Sequence, residues 1–291
     1  MQSALDRLSE SLKRVVDVAD DMDLRTLSAD QRIKAMDETV RCSCTVILSG
    51  FFESFLKECV ESFVDKVCNM KIDFDKLSIH TQRRHFVEGG ILIGQKMMNK
   101  GKVSWILADH KDLAKRLLSP AVSPNSYSLV WEAFANTQSN PGPDVIDSIL
   151  EGLGVDKRNP RMNLAMNNKY GFSKTALESF LVVRNQCAHT GTSDTIPTPQ
   201  DLRDYVQLIF DISKAFIDVL NVRITEVPYR LDLNNSTLDE LMKVPGLGKS
   251  RAMSIKSYIS THGSMSKIDD LRSVPGFGSR TIDLVGMYVT V

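Results

Sequence analysis

The chain carries one five-residue pattern twice, as Val244-Pro245-Gly246-Leu247-Gly248 and as Val274-Pro275-Gly276-Phe277-Gly278. The surrounding residues, 236–259 and 266–289, align without a gap. A repeat at a fixed spacing indicates two copies of one structural unit. Each copy joins two short amphipathic stretches through the glycine turn, which predicts helix, hairpin, helix, twice. The spacings Ser236-x2-Asp239 and Ser266-x2-Asp269 predict a helix cap at the start of each copy.

The glycine turns suit phosphate binding. Glycine permits a tight hairpin and leaves backbone N–H groups uncovered, and the helix that follows directs its positive end toward the turn. Hydroxyl and cationic side chains next to the turns can add contacts that position a backbone without reading bases. The predicted nucleic-acid contacts are Gly246, Gly248, Lys249, Ser250 and Arg251 in the first copy and Gly276, Gly278, Ser279 and Arg280 in the second.

The segment from Leu231 to Val291 resembles the double helix-hairpin-helix domain of competence-type DNA receptors. The resemblance implies sequence-independent binding to duplex DNA, with a packing or protein-interaction module as the alternative. From Arg230 onward eight Lys and Arg oppose six Asp and Glu, so we expect modest, salt-sensitive affinity. We place this domain at 230–291, after a helical domain at 1–226, with Val227-Pro228-Tyr229-Arg230 as the linker.

Composition narrows the classes of protein. The 291 residues contain 36 Lys and Arg against 36 Asp and Glu, and the zero net charge argues against a broad basic coat for nucleic acid. A hydrophobic share of 42% excludes extended disorder. No continuous apolar run approaches the length of a membrane span, so we expect a cytoplasmic protein without a membrane partner. The five cysteines form no CxxC pair, which predicts reduced, buried thiols. We expect no disulfides, no metal site and no cofactor.

Helical spacing dominates the chain upstream of the repeat, so the predicted fold class is all-α, a helical bundle plus the small tandem hairpin unit. The first stripe is Leu5, Leu8, Leu12 and Val15 or Val16, and a second helix runs from about Asp37 to Cys68. A third begins near Ser173 or Thr175, where Thr175 and Glu178 have capping-box spacing, and stops near His189. A fourth begins at Thr198-Pro199. The region 69–171 reads as an insert with helical patches near 102–118, 128–135 and 144–153.

Three hydrogen-bonding side chains, Arg184, Asn185 and His189, cluster at the end of the otherwise apolar third helix. Arg184 and His189 could simply favour the negative end of the helix dipole. Alternatively, a histidine that titrates near neutral pH and an arginine that holds phosphate suit phosphodiester cleavage. Because no carboxylate or His/Cys set accompanies them at metal-ligand spacing, such chemistry needs an internal nucleophile, which RNA supplies in its 2′-hydroxyl.

The pattern Arg184-Asn185-x3-His189 follows Glu178-x2-Leu181-Val182 and is followed by Thr-Gly and a Pro-started helix. This arrangement resembles the signature of HEPN-domain ribonucleases, closest to the RiboL-PSP-like and MAE-like branches. The resemblance implies a homodimer with a composite cleft and metal-independent RNA cleavage that leaves a 2′,3′-cyclic phosphate, commonly in toxin–antitoxin or phage-defence systems with an antitoxin or defence partner. It assigns His189 as general acid or base, Arg184 as charge stabiliser and Asn185 as orienting residue. Glu53 is a further candidate, against a plain ion pair with Lys57.

Two other stretches have simpler interpretations. The segment His80 to His85 could follow a phosphate backbone through Arg83 and Arg84, but it reads more readily as a solvated helix start. The glycines at 89–94 lack the order and the preceding strand of a phosphate loop. Two alternatives to the ribonuclease stay open: a non-catalytic DNA-binding adaptor that uses the bundle as a dimerisation scaffold, and a DNA nuclease, which the missing carboxylate cluster disfavours.

Overall fold

The structure, a computed structural model, describes residues 1–25, 31–98, 106–135, 141–155, 174–190, 196–226, 231–242, 244, 246–286 and 289–291. The fold is all-α, as the sequence predicts. The N-terminal bundle consists of α1 (Gln2–Arg25), α2 (Gln31–Asn69), α3 (Ile79–Met98), α4 (Ile106–Val122), α5 (Pro143–Gly152), α6 (Lys174–Thr190) and α7 (Pro199–Glu226), with 3-10 helices at Phe74–Lys76 and Trp131–Ala133.

Helix α2 is the centre of the bundle, because α1, α6 and α7 all pack against it. Its aromatic side chains supply much of the core: Phe52 and Phe55 are buried, and Phe55 meets Phe216 of α7 edge to face at 6.5 Å between ring centroids. The predicted stripe of α1 is confirmed, with Leu5, Leu8, Leu12 and Val15 buried.

Helix α7 begins where the sequence places it. The Thr198 hydroxyl accepts a hydrogen bond of 3.1 Å from the Asp201 N–H, and the Asp201 carboxylate accepts one of 2.7 Å from the Thr198 N–H. This reciprocal pair caps the helix, and Pro199 takes the first helical position. The capping box predicted for α6 is wrong, because the helix already includes Lys174 and therefore holds Thr175 inside its first turn.

The insert region departs furthest from the predictions. The start of α3 was predicted but its continuation to Met98 was not, and α4 continues through Pro120 to Val122 instead of ending before the proline. The patch near 128–135 contains only the 3-10 helix Trp131–Ala133, whereas the patch near 144–153 is confirmed as α5. The linker proposed at 227–230 lies outside the described residues.

The stretch from His80 to His85 opens α3, as its simpler interpretation predicts, but His85 is not solvated. Its imidazole is fully buried, with Nε2 3.0 Å from the Leu117 carbonyl and Nδ1 accepting a hydrogen bond of 3.2 Å from the Val130 N–H. These partners fix the neutral tautomer that carries its proton on Nε2. Burial lowers the pKa of His85. His85 is therefore a structural residue that joins α3 to α4 and to the segment before Trp131.

Among the described helices, residues 32–69 of α2 are long and apolar enough to cross a membrane on length and composition alone. The sequence prediction counted only continuous apolar runs, whereas this segment qualifies on its average. Leu48, Leu56 and Val60 of this segment are completely enclosed by the bundle core, which accounts for its apolar character.

All five cysteines are free, and all but the half-buried Cys68 are buried. Burial and a thiol contact with Cys42 raise the pKa of Cys187 to about 12. This contact also links α2 to α6 beside the Arg184 motif.

The C-terminal unit, residues 231–291, has its own core. It comprises β1 (Leu231–Asp232), α8 (Leu238–Met242), α9 (Lys249–His262), a 3-10 helix (Ile268–Ser273), α10 (Ser279–Gly286) and β2 (Val289–Thr290). The strands pair in parallel, with Leu231 opposite Val289. Helix, hairpin, helix thus occurs twice, although the first element of the second copy is a 3-10 helix.

The helix caps of the C-terminal unit lie one residue beyond the predicted ones. The Glu240 carboxylate accepts hydrogen bonds from the Thr237 N–H at 2.7 Å and hydroxyl at 2.9 Å. In the second copy, Asp270 accepts from the N–H groups of Ser266 at 2.8 Å and Lys267 at 3.1 Å. These backbone hydrogen bonds lower the pKa of Asp270. The caps therefore belong to Glu240 and Asp270, not to Asp239 and Asp269.

Candidate functional site

The polar motif of α6 is partly ordered by contacts within itself. Arg184 Nη1 donates a hydrogen bond of 3.0 Å to Asn185 Oδ1, and both side chains are half-buried. The bond ties the guanidinium to an amide that sits on the same helix. His189 lies in the last turn and is exposed. The motif therefore presents a held cation and an accessible imidazole at one helix end.

Helical geometry separates Arg184 from His189 within one chain. Five residues correspond to about 140° around the axis and about 7.5 Å along it. Val182, Asn185 and His189 follow one stripe at helical spacing, on which Val182 is 59% exposed and His189 is exposed. Arg184 lies nearer the face that carries the fully buried Leu177 and Phe180. The motif is thus spread over two faces of α6.

Glu53 lies elsewhere on the bundle. Its Oε1 is 2.7 Å from Lys57 Nζ, the i,i+4 ion pair that was the simpler alternative for this residue. The contact between Cys42 and Cys187 fixes where α2 meets the end of α6. Glu53 is three helical turns, about 16 Å, further along α2 than Cys42. The structure therefore does not bring Glu53 beside His189 in one chain.

Donors for a metal ion are not grouped in the described part of the chain. Within it, no set of three or more His, Cys, Asp or Glu side chains is placed to hold an ion.

The two glycine turns of the C-terminal unit have equivalent conformations. Gly246 and Gly276 adopt φ of +86° and +90°, the left-handed region that favours glycine. Gly248 and Gly278, the residues that precede α9 and α10, are exposed, and a Cβ on either would meet no atom within 4 Å. The first N–H groups of each helix have no acceptor inside the helix. Open backbone donors therefore mark both turns.

The cationic and hydroxyl side chains beside the turns divide into two groups. Lys249 and Ser250 in the first copy, and Ser279 and Arg280 in the second, are exposed as a phosphate contact requires. Arg251 is half-buried and donates two hydrogen bonds within the protein, from Nη1 to the Gly246 carbonyl at 2.9 Å and from Nε to the Gly276 carbonyl at 3.0 Å. Its guanidinium thus links the two turns.

Comparison with known families matches the RiboL-PSP-HEPN model over residues 9–222, most of the chain. The chain belongs to the RiboL-PSP-HEPN family. The HEPN match contains α6 and its Arg184-x4-His189 motif. A second model, the helix-hairpin-helix motif, matches residues 229–290 and supports DNA binding by the C-terminal unit.

Two curated proteins are similar in sequence to parts of this HEPN-family chain. ComE operon protein 1 of Bacillus subtilis (strain 168) is 31% identical over 61 residues, 21% of this chain and 30% of that protein, and supports a competence-type hairpin unit. Endonuclease/exonuclease/phosphatase family domain-containing protein 1 of Danio rerio is 29% identical over 93 residues, 32% of this chain and 16% of that protein. The chain thus spans less than a third of either relative. No solved structure matches.

The bridging role of Arg251 is the feature that sequence reasoning missed. Arg251 stands next to Lys249 and Ser250, so composition alone suggests a third phosphate contact. The repeat contains a hint, because the equivalent position of the second copy is Thr281. A cation present in only one copy is not needed for the hairpin itself.

Proposed function

We propose that the chain is a metal-independent endoribonuclease of HEPN type, docked on nucleic acid by its helix-hairpin-helix unit. The observation that carries this proposal is the 3.0 Å hydrogen bond between Arg184 and Asn185, beside the exposed His189, within the Arg-x4-His pattern of the matched family. An arginine held by a neighbouring amide can present its remaining N–H groups to a phosphate in a fixed orientation.

In the proposed reaction His189 removes the proton from an RNA 2′-hydroxyl or protonates the departing 5′-oxygen, and water takes or supplies the other proton. The 2′-oxygen attacks the adjacent phosphorus, the bond from phosphorus to the 5′-oxygen breaks, and a 2′,3′-cyclic phosphate remains. Negative charge grows on the non-bridging oxygens, where the Arg184 guanidinium stabilises it. Asn185 orients that guanidinium. Glu53 remains a less favoured candidate, since its carboxylate is paired with Lys57.

A homodimer makes this chemistry possible at one cleft. Arg184 and His189 diverge by about 140° around α6, so a two-fold related copy can place its histidine near the first copy's arginine. The 59% exposed Val182, on the same stripe as His189, gives such a contact apolar surface to cover.

The proposed organisation is a HEPN domain at 1–226 and a nucleic-acid-binding domain at 230–291. The second domain binds DNA and places the ribonuclease on a nucleic-acid scaffold. We further propose that the protein works in the cytoplasm as a toxin or phage-defence effector that an antitoxin or defence partner restrains.

Cleavage of labelled RNA and labelled duplex DNA in excess EDTA tests the proposal, with His189→Ala and Arg184→Ala as the site variants. His80→Ala is a matched control, because His80 is also exposed but lies on α3. We expect cleavage of RNA alone, lost in both site variants and retained in the control. Duplex binding without cleavage of either polymer would favour the non-catalytic adaptor. DNA cleavage that appears only when magnesium replaces EDTA, and that survives His189→Ala, would favour a DNA nuclease.

A further inference from the structure

The two hairpins of the C-terminal unit are joined at their turns by one side chain. Arg251 donates from Nη1 to the Gly246 carbonyl at 2.9 Å and from Nε to the Gly276 carbonyl at 3.0 Å. These two acceptors are the same position in the two copies of the repeat, and both have a positive φ. One guanidinium therefore binds equivalent points of both turns.

Further contacts surround this bridge. A Cβ on Gly276 would lie 3.8 Å from Arg251 Cγ, so the stem of the arginine passes close to the second turn. A Cβ on Gly246 would lie 3.0 Å from Leu284 Cδ2 of α10, so the first turn packs against the second copy. The turns therefore meet at one junction, and Arg251 is its polar part.

We propose that Arg251 is a positioning residue that holds the two glycine turns at one spacing, so that both engage the same DNA duplex. This inference rests on the proposed docking on nucleic acid. If two phosphate sites are held at a fixed spacing, binding of the first makes the second an intramolecular step with a high effective concentration. Ordering the turns in advance also removes an entropic cost from binding.

A contrasting role for Arg251 is that of a simple phosphate cation. A cation contributes through its charge, so lysine would replace it with little loss, and neutralising it would lower the salt dependence of binding. The bridge instead needs two N–H groups in the fork of a planar guanidinium, which lysine does not have. The charge-retaining substitution therefore separates the two roles.

The test measures binding of a short mixed-sequence DNA duplex by the full-length protein over a range of salt concentrations. We expect Arg251→Lys to weaken binding about tenfold, the scale of a lost charge-assisted hydrogen bond, with the salt slope unchanged. The matched control is Lys249→Gln, which removes an exposed charge two residues away and should lower the slope by about one. Wild-type affinity in Arg251→Lys would overturn the proposal.

Coupling between the turns is tested in a background where the second turn is blocked. Gly278→Ala adds a Cβ into open space, so it covers the backbone donors without a clash. If Arg251 acts by holding both turns, Arg251→Lys has almost no further effect in this background. If Arg251→Lys weakens DNA binding by the same factor with and without Gly278→Ala, the proposal is overturned.

Hydrogen exchange without DNA separates failure of this inference from failure of the docking. We expect Arg251→Lys to speed amide exchange at Leu247 and Phe277, whose N–H groups are hydrogen-bonded within the two turns, with helix content unchanged. Unchanged exchange in the turns would overturn the bridge. If the wild-type protein does not bind the duplex, the proposed docking is contradicted, and so is the engagement of one duplex by both turns. The exchange result would still decide whether Arg251 holds the turns.

Discussion

The guanidinium of Arg184 is hydrogen-bonded at 3.0 Å to the side-chain amide of Asn185, its neighbour on α6. Adjacent residues on a helix point about 100° apart, so the two side chains must lean toward each other to meet. The bond restricts the rotamers of a long, flexible side chain. It gives Asn185 a stated task in the proposed reaction, which is to orient Arg184.

Asn185→Ala should lower RNA cleavage about tenfold, because one hydrogen bond to a charged group is lost. Single-turnover cleavage of labelled RNA measures the effect. Asn185→Asp keeps the oxygen that accepts the hydrogen bond from Arg184, so it should retain more cleavage than Asn185→Ala. Equal losses in the two variants would contradict the assigned task.

Glu240→Ala should loosen α8, because its carboxylate accepts two hydrogen bonds from Thr237. Loss of an N-terminal cap costs about 1 kcal/mol, so amide exchange in α8 should rise about fivefold. The matched control is Asp239→Ala, since Asp239 is equally exposed and adjacent. Equal acceleration by both substitutions would contradict the assignment of the cap to Glu240.

Glu132→Gln should destabilise the bundle by about 2 kcal/mol. The carboxylate of Glu132 binds Arg116 through two hydrogen bonds of 2.8 Å, and both side chains are largely shielded from water. Asp112→Asn removes the other, 66% exposed carboxylate that pairs with Arg116, and should cost about 0.5 kcal/mol or less. Urea unfolding measures both, and an equal loss would show that burial is not what strengthens the Glu132 pair.

The free energy of unfolding should decrease as the pH is lowered, because His85 becomes protonated. Burial lowers its pKa from 6.5, so below pH 6.5 the unfolded chain binds a proton that the folded protein resists. The free energy of unfolding that depends on neutral His85 is complete above pH 6.5 and is lost as pH falls through the lowered pKa. Urea unfolding at several pH values measures this loss. His189→Asn should leave it intact, because His189 is exposed, and a flat profile below pH 6.5 would contradict the role of His85.

Elements could be predicted from the sequence where the residues' own helix preferences agree with the packing of the fold. Helix α7 begins at Pro199 because Thr198, Pro199 and Asp201 all favour a helix start there. The continuation of α3 beyond its predicted start was missed because Gly89, Gly90 and Gly94 weaken its helical pattern. In the fold Gly89 packs against Leu117 and Val130, where a Cβ would lie 3.0 Å from Leu117 Cδ1, so close helix packing selects glycine at this position.

The candidate site also contains features that the sequence predicts and one that it does not. The Arg184, Asn185 and His189 cluster was evident from three polar residues at the end of an apolar helix. The bridge made by Arg251 was not, because it joins carbonyl groups that lie 30 residues apart in sequence and meet only after both hairpins have folded. Backbone acceptors leave no trace in the side-chain pattern.

Mixing two inactive variants tests the central claim most directly. If the cleft uses Arg184 of one copy and His189 of the other, a heterodimer of Arg184→Ala with His189→Ala retains one intact pair. We predict that each variant alone is inactive on RNA in EDTA, and that the mixture, after subunit exchange, recovers about a quarter of wild-type cleavage, because about half of the dimers are heterodimers at random pairing and each keeps one of two Arg–His pairs. A mixture as inactive as its components, although subunit exchange is demonstrated, would contradict the composite site.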